Sequence, residues 1–301
     1  MSANDILIVG AGTAGLTAAI YVQRAGRHAV LFEKGAPGGQ IVTANEIQNY
    51  PGYSSINGAD FAYKLYEQAT SLGAEFINGE VLKITPEKDA VTIQTARGTY
   101  SGNALIYAAG ASHRRLGLAN EEKLIGRGIS FCANCDGAFF KGKTVAVNGG
   151  GNTALDDALY LSRVAKEVYL IHRRKEYRAE QPLQDAVMQT ANIHPILDTT
   201  ITALHETSGH LAAITLHNLV TQQDTELAVD GLFLAVGMKP ETALLSGIVD
   251  LNEAGYILAG EDTRTSVNNI FAAGDVRSKT VRQLTTAAAD GTAAAIAAVA
   301  L

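Results

Sequence analysis

The chain carries one local pattern twice, and that pattern leaves few folds open to it. Asp5-Ile6-Leu7-Ile8-Val9 is an apolar run of strand length that enters Gly10-Ala11-Gly12-Thr13-Ala14-Gly15. A helical stretch from Leu16 to Arg24 then leads to a second apolar run, Ala29 to Phe32, closed by Glu33. Thr144 to Val147 likewise enters Gly149-Gly150-Gly151-Asn152-Thr153-Ala154, followed by a helical stretch from Leu155 to about Arg163 and by Val168 to Ile171, closed by His172. In both copies the closing residue lies 23 positions after the first glycine. Each copy reads as a βαβ unit, so the spacing predicts an α/β chain with two Rossmann-like nucleotide-binding domains.

Thirty glycines against six prolines, gathered into such clusters, mark positional use rather than low complexity. Glycine at these positions lets the backbone approach a pyrophosphate, whose charge settles on the N-terminal N–H groups of the following helix. Two phosphate-bearing ligands are therefore expected, one on Gly10, Gly12, Thr13, Ala14 and Gly15, the other on Gly149, Gly151, Asn152 and Thr153. The closing residues differ in sign. Glu33 can accept hydrogen bonds from ribose hydroxyls but would repel a 2'-phosphate, which suits FAD or NAD. His172, Arg173 and Arg174, followed by Arg178, place cations where the 2'-phosphate of NADPH would lie. The plainer alternatives are a solvated strand-end acid and a solvated basic turn.

A chain of 301 residues is long enough for two domains. Its net charge of -6 supplies no field for nucleic acid or anionic lipid, so neither is an expected partner. The uncharged stretch Ile6 to Gln23 is preceded by Asp5 and interrupted by glycines, unlike a signal peptide. The alanine-rich tail after Asp290 falls short of the roughly 20 apolar residues a membrane span needs. A cytoplasmic location is expected. Helical spacing is also expected from Gly58 to Gly73 and in the tail. Strands are expected at Val81 to Thr85, Val91 to Thr95, Leu105 to Ala109, Thr200 to Leu204, Leu211 to Leu216 and Gly231 to Val236.

Only two cysteines exist, Cys132 and Cys135, so the C-x-x-C pair stands alone: redox centre, metal half-site or inert pair. Structural zinc wants four ligands and no second cysteine pair completes it, so no metal is expected and the redox reading leads. Such a dithiol needs one accessible thiolate to attack a substrate disulfide and a second to resolve the mixed disulfide.

Cys132-Ala133-Asn134-Cys135-Asp136 just ahead of an NADPH-type unit resembles the low-molecular-weight thioredoxin reductases. So do Gly38-Gly39-Gln40, Asn49-Tyr50-Pro51-Gly52, Ala108-Ala109-Gly110-Ala111, Ala273-Gly274-Asp275-Val276 and Arg282-Gln283. The likeness runs over nearly the whole chain. It implies an FAD domain made from both ends, residues 1–113 and 241–301, with an NADPH domain, 114–240, inserted into it. It also implies crossings near Ser112 to Leu116 and Met238 to Ala243, and a homodimer. By the same resemblance Gly39, Gln40, Asn49, Gly274, Asp275, Arg282 and Gln283 approach the flavin cofactor. Cys135 is implied as the flavin-proximal thiol, Cys132 as the thiol attacking thioredoxin or a thioredoxin-like protein, and Asp136 as the acid-base group. Arg127, just ahead of the dithiol, is expected to help dock an acidic partner. Asn148, Asn134 and Ala138 depart from the family pattern. The alternatives are the same scaffold serving another acceptor or donor (a peroxiredoxin-linked carrier, oxygen, ferredoxin) and a non-catalytic flavin redox sensor.

Overall fold

The N-terminal apolar run forms the strand Asp5–Val9, and the period-two alternation of a strand divides its side chains between two layers. Ile6 and Ile8 join Leu16, Ala18, Ala19 and Ile20 of the helix Thr13–Arg24 and Ala294, Ala295 and Ala298 of the helix Leu284–Val299. Leu7 and Val9 pack instead with Ile84, Val91 and Ile93 of an antiparallel meander, and with Leu245, Val249 and Ile257. A strand buried on both faces has no use for polar alternation, which is why this run is uninterruptedly apolar. The alanine content of Leu284–Val299 has a packing reason too. At Gly291 a Cβ would lie 2.2 Å from the carbonyl oxygen of Ala14, so only glycine allows the two helices this approach.

In this computed structural model, which describes residues 5–44 and 46–301, the chain divides into two units: 1–112 with 239–301, and 113–238. The chain passes between them at 112–113 and 238–239, through the strands Ala111–His113 and Met238–Pro240, which pair with each other. The first unit holds a parallel sheet in the order Ile270–Ala272, Ala104–Tyr107, Asp5–Val9, His28–Glu33, Glu75–Asn78. In the second the order is Ile129–Ser130, Gly231–Leu234, Thr144–Asn148, Glu167–Ile171, Ile193–Ile196, again parallel throughout. Counted from the strand that enters its glycine turn, each unit inserts a three-stranded antiparallel sheet between its third and fourth parallel strands, Val81–Pro86 to Gly98–Gly102 in one and Thr199–Thr207 to Asp224–Ala228 in the other. The repeat legible over the glycine turns thus extends to a whole domain. The two units differ in the fifth strand, which comes from the C-terminal segment in the first and from just ahead of the dithiol in the second.

Both helices after the glycine turns begin earlier than periodicity indicates, at Thr13 rather than Leu16 and at Asn152 rather than Leu155. Apolar periodicity marks only the buried face of a helix. Gly12 and Gly151, extended in backbone conformation, act as N-caps without any side chain, which leaves first-turn N–H groups open. Several elements escape the sequence reading altogether: Glu75–Asn78, Gly98–Gly102, Ile129–Ser130, Ile193–Ile196, Asp224–Ala228 and the helix Gln181–Gln189. Ile193–Ile196 shows why. It is a sheet edge and carries Pro195, which reads as a strand breaker but is tolerated where one side lacks a partner. Among the described residues no helix is long and apolar enough to cross a membrane.

Candidate active site

In the first glycine turn, Gly15 lies so close to the turn that a Cβ would fall 1.8 Å from the Gly10 carbonyl oxygen. The helix can start there only on glycine. Glu33 reaches back from its strand end: its carboxylate accepts from the N–H groups of Ala11 and Gly35, both at 2.9 Å. Two of its acceptor positions are thereby used in holding the turn, leaving others for ligand hydroxyls. Gly38 and Gly39 come alongside, with Gly38 N–H donating to the Ala11 carbonyl at 2.7 Å. The Gln40 side-chain amide donates to the Ala111 carbonyl. The Asn49 amide donates to Gln283 Oε1 at 3.3 Å, so two residues far apart in sequence meet as one polar pair.

Asp275 and Arg282 carry polar atoms with no hydrogen-bond partner although buried, Oδ1 and Nε respectively. The Lys279 ammonium stands 3.6 Å from that Oδ1, an ion pair beyond hydrogen-bond reach. Burial pushes the Asp275 carboxyl above the ordinary carboxylate range, with Lys279 and Arg282 drawing it back. The Arg282 guanidinium lies 4.3 Å above the Tyr256 ring.

The second turn is built differently. Where the first has Ala11, the second has Gly150, and a Cβ there would strike the His172 ring at 2.2 Å. The residue at the end of the second strand therefore dictates the glycine in the turn. His172 is buried, stacks on Tyr177 with ring centroids 5.5 Å apart, and its Nε2 lies 3.1 Å from the Glu176 carbonyl. Burial, with Arg178, Arg174 and Arg173 nearby, lowers its pKa, against the raising effect of the Glu176 carbonyl. It is accordingly a neutral floor to the turn rather than one cation among four. Arg173, Arg174 and Arg178 are exposed, and no carboxylate among the described residues pairs with them. Arg178 is tied to the turn by its N–H, which donates to the Gly150 carbonyl at 2.7 Å. Asn152 and Glu180 hold the same loop reciprocally, through contacts of 2.9 and 3.1 Å. Asn148 is half-buried, and its side chain has no hydrogen bond among the described residues.

Cys132 and Cys135 are joined as a disulfide, Cα atoms 5.3 Å apart, at the start of the short helix Ala133–Asp136. The N–H groups of Cys135 and Asp136 both donate to the Cys132 carbonyl, at 3.2 and 3.1 Å. Cys135 and Asn134 are exposed, while Cys132 and Asp136 are half-buried. Ala133 is fully buried, anchoring the loop in the core beside Leu155 and Ala158. At Gly137 a Cβ would meet the Tyr160 ring at 2.9 Å, so the loop lies against the far end of the helix Asn152–Leu161. Dithiol and glycine turn are thus held at opposite ends of one helix, roughly 12 Å apart at 1.5 Å per residue. Burial pushes the Asp136 carboxyl above the ordinary range, opposed by a hydrogen bond from Ser130. His205 and His210, spaced as a metal pair could be, have other neighbours, Thr215 Oγ1 at 2.7 Å and the Ser208 carbonyl at 3.3 Å. No group of three or more potential metal ligands occurs among the described residues.

The model of the pyridine nucleotide-disulphide oxidoreductase family matches residues 4–291. The chain belongs to that family. Within it, the chain is 39% identical over 291 residues to the thioredoxin reductase of Bacillus subtilis, covering 97% of this chain and 92% of the relative. It is 43% identical over 304 residues to the NADPH-dependent thioredoxin reductase 3 of Arabidopsis thaliana, covering 98% of this chain and 58% of that longer protein. The crystal structure of thioredoxin reductase from Streptococcus pyogenes superposes with a TM-score of 0.93 at 38% identity, covering 98% and 97% of the two chains.

Two residues of this oxidoreductase were invisible to motif reasoning. Asp290, inside the alanine-rich helix, accepts from Gly274 N–H at 3.0 Å, from Arg277 Nε at 2.9 Å and Nη2 at 2.8 Å, and from Lys279 Nζ at 2.9 Å. It fixes the Gly274-Asp275 turn from behind, and a lone acid in an otherwise apolar helix was the available signal. Ser130 is 4% exposed, and its Oγ lies 2.6 Å from Asp136 Oδ2. Nothing in its local sequence marks it.

Proposed function

We propose that this oxidoreductase is an NADPH-dependent thioredoxin reductase, in which the Cys132/Cys135 dithiol reduces the disulfide of thioredoxin or a thioredoxin-like protein. The observation carrying the reading is the combination, in one chain, of two glycine turns, one closed by Glu33 and the other followed by Arg173, Arg174 and Arg178, and a C-x-x-C disulfide anchored at the far end of the helix that starts from the second turn. FAD fits the first unit. Its pyrophosphate would lie on Gly10, Gly12, Thr13, Ala14 and Gly15, its ribose at Glu33, and its flavin end near Gly39, Gln40, Asn49, Arg282 and Gln283. The unpartnered Asp275 Oδ1 and Arg282 Nε are what a polar ligand would satisfy. Bound FAD would couple the hydride of NADPH to the two-electron reduction of the disulfide.

NADPH fits the second unit, with Gly149, Gly151, Asn152 and Thr153 at the pyrophosphate. Arg173, Arg174 and Arg178 would meet the 2'-phosphate, with His172 supporting the turn beneath. The protein's own part in the exchange is positional: Cys132 attacks, Cys135 resolves, and Asp136 manages the proton. Flavin reduction by NADPH and by NADH, followed by reoxidation with a panel of thioredoxins, tests the reading. Rapid multiple turnover is expected with NADPH and thioredoxin, and its absence would overturn the proposal. Replacing Arg173 and Arg174 by Ala should weaken NADPH relative to NADH by roughly 100-fold, since hydrogen bonds to charged groups contribute about 1.5–3 kcal/mol each. Unchanged discrimination would remove the arginines from the argument.

The helix-length separation inside the second unit supports a further part of the reading. One flavin must be reached in turn by the dithiol and by the nicotinamide, which calls for rotation of residues 113–238 about the two paired crossing strands. A cross-link shown to lock the two units together should therefore stop steady-state turnover; undiminished activity in the locked protein would rule rotation out.

A further inference from the structure

Ser130 ends the edge strand Ile129–Ser130, paired with Phe233 in the parallel sheet, so its side chain is placed by a rigid element rather than by the dithiol loop. Three polar atoms of that loop surround its hydroxyl. Cys132 N–H donates to Oγ at 3.1 Å, Oγ lies 2.6 Å from Asp136 Oδ2, and the Cys132 carbonyl is a second acceptor at 3.4 Å. A serine hydroxyl has one proton and two lone pairs. The Cys132 amide occupies one lone pair, which leaves one lone pair and the proton to be shared between Asp136 and the Cys132 carbonyl.

That count admits two complete arrangements. With Asp136 ionised, Ser130 donates its proton to Oδ2. With Asp136 protonated on Oδ2, the acid donates to the free lone pair of Oγ, and the Ser130 proton turns to the Cys132 carbonyl. We propose that Ser130 is a positioning residue for disulfide exchange: a hydroxyl rotor that keeps the Asp136 carboxyl and the Cys132 backbone in one hydrogen-bonded unit in either protonation state of the carboxyl. The inference rests on the reductase reading above.

In the exchange, the Cys132 thiolate attacks one partner sulfur, the partner S–S bond breaks, and Asp136 gives its proton to the departing partner thiolate. Cys135 then attacks Cys132 and releases the second partner thiolate, which takes up a proton in turn. The dithiol loses two electrons and two protons, the partner gains two of each, and Asp136 recovers its proton from those released by the thiols. Ser130 turns once in each direction. The packed helix Asn152–Leu161 carries Asp156, Asp157 and Tyr160, none of them bonded to Asp136. Among the described residues Ser130 makes the one side-chain hydrogen bond to Asp136.

Ser130→Ala, nearly isosteric, removes the bond in both protonation states, and the charge-assisted bond to the ionised carboxyl is the stronger of the two. The Asp136 titration, followed by infrared difference spectroscopy on the oxidised protein and assigned with Asp136→Asn, should move up by about one pH unit. The alkaline limb of single-turnover thioredoxin reduction should move with it, whereas Ser130→Thr, which keeps the hydroxyl, should retain the parent limb. In the Asp136→Asn background, Ser130→Ala should cause no further loss of rate. An unmoved titration, or an equal loss with and without Asp136, would overturn the inference; so would a Ser130→Thr protein that folds and yet behaves like the Ala variant. If Ser130→Ala fails to fold, Ser130→Gly, which also lacks the hydroxyl, takes its place in the same titration, and an unmoved Asp136 band there overturns the inference equally. Failure of the parent to reduce thioredoxin, with the infrared shift intact, would instead overturn the reductase reading and leave the hydrogen-bonded unit standing.

Discussion

Cys132→Ser is expected to abolish multiple turnover on a protein disulfide while leaving reduction of the bound flavin by NADPH intact. A serine hydroxyl is not appreciably ionised at neutral pH and cannot form the mixed disulfide. Loss of the attacking nucleophile should therefore cost on the order of 10³-fold or more in thioredoxin reduction. The substitution is nearly isosteric, and the loop keeps Ala133 in the core and the two N–H bonds to the residue-132 carbonyl, so folding should be unaffected. Steady-state assays with thioredoxin, paired with anaerobic flavin reduction, check it. An unaltered rate would refute the assignment. Should Cys135→Ser show this behaviour and Cys132→Ser the converse, the two thiols have exchanged roles.

Asp290→Ala is expected to produce the largest loss of stability. Its carboxylate, 7% exposed, is shared by Arg277 and Lys279, themselves 12% and 8% exposed. Removing the acid leaves the nearly buried Arg277 without a carboxylate partner and Lys279 with only the longer, 3.6 Å pair to Asp275, at a cost of about 3–5 kcal/mol. For a unit of this size that is on the order of 10 °C in Tm. Burial works against ionisation of Asp290, but hydrogen bonds from Arg277 and Lys279 prevail and hold its pKa below the ordinary carboxylate value. A carboxylate depressed in the folded state contributes stability above its unfolded pKa and loses it as the pH falls through the folded one. The difference in Tm between parent and Asp290→Asn should accordingly be full at neutral pH and close in acid. Thermal unfolding with and without FAD measures both effects, and a neutral-pH Tm within a degree of the parent's would dispose of the argument.

The two glycine turns were legible because strand, turn and helix signals there are local. An apolar run, adjacent glycines and a helical period all fall within about 20 consecutive residues, 5–24 in the first copy and 144–163 in the second. His172 was legible in position but not in role. Its place beside three arginines reads as charge, whereas the structure turns its ring under Gly150 and burial lowers its pKa. Asn49 and Gln283 show a contact that no local signal announces. Family likeness assigned both to the flavin, and the structure brings them within hydrogen-bonding distance across most of the chain.

The sequence by itself determined the α/β class, two glycine turns between strand and helix, one closed by Glu33 and the other followed by an arginine cluster, and the lone dithiol ahead of the second. Only the tertiary structure decided which short segments complete the sheets. Ile270–Ala272 and Ile129–Ser130 are too short to signal themselves, and they become strands because Ala104–Tyr107 and Gly231–Leu234 offer ladders to pair with. It also decided the roles of Ser130 and Asp290. A serine or an aspartate carries no pattern that announces a partner, and what each does depends on which donors and acceptors the finished sheet and helix bring within 3 Å or so of its oxygen atoms.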